Sequence, residues 1–118
     1  MVDANHAYNL KDALYFGKGL DELDIYWFEE PVAPEDYEGY RELKQKISTS
    51  IAGGEAEFTK YGWNKLISNK CIDIAQPEVC GLGGITEYLK VAALAQVNFV
   101  PVVNHVWGSA VSLSLIHI

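Results

Sequence analysis

The sequence is poor in cysteine, in positive charge and in long apolar runs. Two cysteines among 118 residues, Cys71 and Cys80, cannot build a disulfide framework. They have no Cys or His companions at zinc spacing, so a reducing, cytoplasmic setting is the expectation. Nine Lys and Arg face sixteen Asp and Glu, a formal net charge of −7. That balance argues against nucleic acid and anionic membrane surfaces as partners. No apolar run approaches the ~20 residues that span a bilayer. The opening Met1-Val2-Asp3-Ala4-Asn5-His6 lacks the basic start and apolar stretch of a signal peptide. Ten glycines follow no triplet period, which excludes collagen. Neither a Gly-x-Gly-x-x-Gly nor a P-loop pattern occurs, so nucleotide binding has no support.

What is present is an alternation. Short runs of β-branched and aromatic residues at 1–4, 25–28, 50–54, 72–75 and 99–104 each end in a polar or acidic residue. Helical spacing follows each run, at residues 10–23, from Pro34-Glu35-Asp36 through Ile47, from a Thr59 cap through Ile67, and at 86–96. Strand–helix alternation predicts parallel strands with crossover helices. Asn5, Glu29, Glu55, Glu78 and His105 recur at near-even spacing at the strand ends. This fits part of a (β/α)8 barrel, whose active sites collect at the carboxyl ends of the strands. A doubly wound sheet makes the same alternation and is the alternative architecture. A complete barrel needs ~250 residues, so the chain reads as an α/β partial (β/α)8 barrel, roughly strands 3 to 7 with their helices. Half a barrel leaves open edges, and the isolated chain is expected to be unstable or to aggregate.

Strand alternation sorts the side chains. Ile25, Trp27 and Glu29 share one face, and Tyr26, Phe28 and Glu30 the other, where Glu30 makes a structural contact toward the helices. Ile51, Gly53 and Glu55 align, as do Pro101, Val103 and His105. Asp3, Glu29 and Glu55 then stand on three successive strands. Each alone could be a solvated acid. Together in a partly dry site they need compensation, and an oxygen-only set selects Mg2+ or Mn2+ over zinc or copper. His105 is either a satisfied core histidine or an acid/base group at a strand end. Trp107 either walls a substrate pocket or fills core. Lys60 reads as a solvated cation at a helix start, and Gly83-Gly84 as a tight turn or an anion site.

Five ordered motifs carry a resemblance. Asp3-Ala4-Asn5, Trp27-Phe28-Glu29-Glu30-Pro31, Ala52-Gly53-Gly54-Glu55, Asp73-Ile74-Ala75-Gln76-Pro77-Glu78 with Gly83-Gly84-Ile85, and His105-Val106-Trp107-Gly108-Ser109 run in order through the chain. Together they resemble the barrel of the mandelate racemase/muconate lactonizing enzyme family, within the enolase superfamily. The resemblance implies that Asp3, Glu29 and Glu55 bind Mg2+, that Asn5 lies beside the substrate, and that His105 is an acid/base group. It places Glu78 where the family usually has an aspartate paired with that histidine. The lysine motif of the opposite face and the capping domain would precede Met1.

The runs Ala52-Gly53-Gly54-Glu55-Ala56-Glu57-Phe58-Thr59 and His105-Val106-Trp107-Gly108-Ser109 are similar to acid-sugar dehydratases and sugar-lactone cycloisomerases. The resemblance thus implies Mg-dependent proton abstraction next to the carboxylate of a small-molecule acid sugar. Dehydration is the first expectation, and cycloisomerisation or racemisation the alternative. A homo-oligomer in the cytoplasm is implied for the full-length protein. A non-catalytic barrel and an inactive fragment are the rival readings. Residues 1–111 read as barrel; Ser112 onward reads as a non-native or truncated tail, and His117 is given no functional weight.

Overall fold

A computed structural model describes residues 1–108 and 110–114. Four strands, β1 (Val2–Asp3), β2 (Trp27–Glu29), β3 (Ser50–Gly53) and β4 (Ile74–Ala75), form one sheet in the order β1-β2-β3-β4. Every pairing is parallel, with Asp3 opposite Glu29, Glu29 opposite Ala52, and Gly53 opposite Ala75. The run at 99–104 joins through two parallel bridges, Ala75 to Val102 and Glu78 to His105. Strand order that follows chain order without reversal is the winding of a barrel wall; a doubly wound sheet needs a switch point.

Between the strands run α1 (Leu10–Glu22), α2 (Tyr37–Lys46), α3 (Thr59–Ser68), the short α4 (Val79–Leu82), and α5 (Ile85–Val97), with α6 (Ala110–Ser114) after the last bridge. Asn9 caps α1 by accepting the Asp12 N–H, and Asp36 caps α2 by accepting that of Gly39. Phe58, directly before α3, makes no side-chain cap bond; the Thr59 hydroxyl accepts the Tyr61 N–H at 3.4 Å, and Glu87 of α5 takes the Lys60 N–H. A local hydroxyl and a carboxylate from a neighbouring helix thus share the first turn. Lys60 itself pairs with Glu87 at 3.4 Å, so it is not simply solvated.

The core lies on the helix side of the sheet. Phe28, Ile51 and Ala75 meet Tyr40, Leu43, Trp63, Leu66 and Val91 there. Burying each large side chain contributes about 1.5–3 kcal/mol. Trp63 is fully buried against Gly54, where an added Cβ would lie 2.4 Å from the indole. Gly54 also has φ +112°, so a side chain is excluded there twice over.

This packing corrects the expected alternation in β3. Phe28 pairs with Ile51, so Ile51 and Gly53 share the helix-facing side with Phe28, not the side of Glu29. Glu55 lies beyond the strand, past the left-handed Gly54, where strand parity no longer applies. At the opposite end of the sheet, Asp21 accepts the Ser48 and Thr49 N–H groups and the Thr49 hydroxyl, while Asp73 accepts the Ile51 N–H and pairs with Lys44. These links tie α1 and α2 to strand starts.

Among the described residues, no helix is long and apolar enough to cross a membrane. The free edge of β1 and the exposed Val2, Tyr26 and Val103 leave pairing groups and apolar surface in water. Expressed alone, the 118-residue chain should therefore unfold over a broad range and bind a hydrophobic dye before heating. A sharp, cooperative calorimetric transition of the monomer contradicts this.

Candidate active site

The acidic strand ends lie on one edge of the sheet. Asp3 and Glu29 are direct register partners. Asp3 accepts the Asn5 N–H at 2.8 Å, across a turn in which Asn5 and His6 have φ 45° and 60°. Glu29 accepts the Trp27 indole N–H at 2.9 Å. Glu55 turns toward the far strand, its Oε2 lying 3.0 Å from His105 Nε2.

The expected convergence of Asp3, Glu29 and Glu55 is thus incomplete. Among the described residues, no three His, Cys, Asp or Glu side chains close into a group able to hold a metal ion. Each carboxylate is instead turned to a donor close to it, as mutually repelling anions are. The donor chemistry nevertheless fits a hard cation, because all three are carboxylates and they share one field. That field registers on Glu30, whose carboxyl is pushed up to about 8, first by burial and then by the charges of Glu55, Asp3 and Glu29. Fit in kind is present; the side-chain placement of a closed site is not.

His105 is held from both sides. Its Nδ1 lies 3.0 Å from Glu78 Oε2, opposite the Glu55 contact. Glu78 is buried, and its Oε2 also accepts the Trp107 N–H at 3.0 Å. Its Oε1 accepts the Cys80 N–H at 3.0 Å and the Ser112 hydroxyl at 2.6 Å. Burial alone would raise the Glu78 carboxyl, but hydrogen bonds from Ser112, Cys80, Trp107 and His105 outweigh it and hold the group below the usual range. An ionised carboxylate only accepts, so Nδ1 carries the proton toward Glu78. That leaves Nε2 facing the Glu55 carboxylate. The added methylene of glutamate does not displace the histidine.

Asn5 is exposed at the turn beside Asp3, and Trp107 is 80% exposed, which excludes a core role for its indole here. Ser109 and His117 lie outside the described residues. Two participants, His6 and Ser112, escaped the sequence reading. Glu30, expected there as a structural contact, is buried and pairs with His6 at 2.9 Å, and Ser112 is fully buried against Glu78. Neither a lone His6 nor a serine in an apparent tail signalled its role.

Residues 1–118 match the family described as enolase C-terminal domain-like. The chain belongs to that family. It is 40% identical over 114 residues to D-galactarolactone cycloisomerase of Agrobacterium fabrum, covering 97% of this chain and 30% of that one. The crystal structure of 3,6-anhydro-D-galactonate cycloisomerase from Zobellia galactanivorans superposes with a TM-score of 0.93 at 48% identity, over 97% of this chain and 32% of that one. L-talarate dehydratase from Polaromonas sp. JS666, solved with Mg and L-glucarate, matches with a TM-score of 0.88 at 31% identity, over 91% and 30% of the two chains. The chain thus spans about a third of the length of these relatives. Its relatives include both cycloisomerases and dehydratases of sugar acids, and the fold is part of an enolase-superfamily barrel.

Glu78 has a depressed carboxyl value, so its interactions add stability above the ordinary value of 4.5, and that stability is lost as pH falls through the lower folded value. In the complete gene product, Glu78→Gln should lower stability at neutral pH by about 1–3 kcal/mol and flatten the acid-side decline. Urea midpoints across the acid range read both effects.

Proposed function

We propose that this chain carries part of the active site of an Mg2+-dependent enzyme that removes the proton next to the carboxylate of a sugar acid and breaks the bond to the β-oxygen. The observation that carries this reading is the His105 imidazole, held between Glu55 and Glu78 at the edge where Asp3 and Glu29 pair. Asp3, Glu29 and Glu55 are the residues that would hold the ion. When bound, Mg2+ supplies positive charge beside the substrate carboxylate as enolate charge builds.

The protein's own groups do the rest. His105 Nε2 takes or delivers a proton, and Glu78 keeps Nδ1 protonated and the ring in one orientation. Asn5 and Trp107 are assigned to contact substrate beside Asp3 and His105. If the β-oxygen belongs to a ring, expelling it opens the ring and yields an isomer. If it is a free hydroxyl, protonation by His105 releases water.

The sequence reading put dehydration first. Identities of 48% and 40% to two cycloisomerases, against 38% and 31% to two dehydratases, support ring opening of a lactone or anhydro-sugar acid. Product mass separates the two: an isomer keeps the substrate mass, and a dehydration product is lighter by one water.

The test uses the complete gene product with Mg2+ and a panel of sugar acids, sugar lactones and anhydro-sugar acids. His105→Asn should lower kcat by about 10²–10⁴-fold while Mg2+ binding persists; unchanged turnover overturns the role given to His105. Chelation should abolish activity and added Mg2+ should restore it. Glu29→Gln should weaken Mg2+ binding measured by calorimetry. A protein that binds Mg2+ and turns over none of the panel supports the non-catalytic barrel instead.

A further inference from the structure

The turns after β1 and β2 are fastened to each other by one side-chain pair, a half-buried His6 and a buried Glu30. His6 Nε2 lies 2.9 Å from Glu30 Oε2, and its Nδ1 lies 3.2 Å from the Val32 carbonyl oxygen. A carbonyl only accepts, so Nδ1 carries a proton and Nε2 faces the carboxyl. The His6 N–H also donates to the Glu30 carbonyl at 2.8 Å, and the Tyr8 N–H to that of Pro31 at 3.3 Å. Glu30 is 2% exposed, and the Tyr40 hydroxyl shares the Val32 carbonyl from α2. Asn5, His6 and Glu30 all hold positive φ, at 45°, 60° and 42°. Non-glycine residues keep such a conformation when their surroundings over-determine it.

The position of this pair gives it a consequence for the site. Glu30 directly follows Glu29, and His6 follows the Asp3-Ala4-Asn5 turn whose Asn5 N–H holds the Asp3 carboxylate. Rotation of the turn at His6 would move that N–H, and with it Asp3, relative to Glu29. We infer that His6 is a positioning residue, strapping the turn after β1 to Glu30 and Val32 so that Asp3 and Asn5 are held in register with Glu29. The inference rests on the reading of Asp3 and Glu29 as Mg2+ ligands. His6 touches neither ion nor substrate; it acts through the backbone of the turn.

Calorimetric titration of the complete gene product with Mg2+ tests it. His6→Ala should raise the Mg2+ Kd about tenfold or more, in the range found when groups that orient metal ligands are removed. Turnover should largely recover at Mg2+ well above the new Kd. The amide of His6→Gln reaches the position of Nε2 and should keep the Glu30 link, with a Kd close to wild type. His6→Asn mimics Nδ1 only, loses the Glu30 link, and should resemble His6→Ala. If His6→Ala does not fold, the Gln and Asn variants carry the comparison.

A wild-type protein that binds Mg2+, with His6 variants that melt earlier but bind it equally well, overturns the inference alone. So does the reverse order, with Asn near wild type and Gln weak. A wild-type protein that takes up no Mg2+ overturns this inference and the proposed function together.

Discussion

Negative charge crowded at one edge of a parallel sheet is the constraint around which this structure is organised. Asp3, Glu29, Glu30, Glu55 and Glu78 all lie at or just past strand ends. Each is compensated differently. Asp3 takes a backbone N–H, Glu29 an indole, Glu55 an imidazole, and Glu78 two backbone N–H groups, a hydroxyl and the same imidazole. Glu30, the most buried carboxyl near the three proposed ligands, is pushed up to about 8 by burial first and contacts His6. The compensation determines which acids remain available for chemistry.

His105 joins the two halves of this arrangement. Glu78 lies on the side rich in hydrogen-bond donors and stays ionised; Glu55 lies on the side where like charges accumulate. A single imidazole thus lies between two carboxylates of unequal surroundings, its ring orientation fixed by Glu78 at Nδ1. The core on the far side of the sheet keeps this geometry rigid. Trp63 packs against Gly54 directly before Glu55, and Asp21 and Asp73 pin the strand starts.

Much of the fold was legible because its cause is local. Runs of β-branched residues ending in acids, separated by helical spacing, imply parallel strands whatever the rest of the chain does. The sheet shows that order without reversal. The pairing of Glu78 with His105 was legible only through resemblance, since a glutamate and a histidine far apart in sequence carry no mark of contact. Ser112 was illegible, because nothing in an apolar, serine-bearing segment announces a buried hydroxyl aimed at a carboxylate.

The amino-acid order by itself determined the alternation of elements, the strand-end acids and the excess of negative charge, since these depend on neighbours along the chain. Only the tertiary structure decided where those acids point. Parity along β3 ends at Gly54, whose left-handed backbone redirects Glu55 to His105. Capping of α3 is shared between Thr59 and Glu87, because a carboxylate across the helix interface reaches the Lys60 N–H. Burial and the charges of Glu55, Asp3 and Glu29 push the Glu30 carboxyl up, a sum over space that no window of sequence contains.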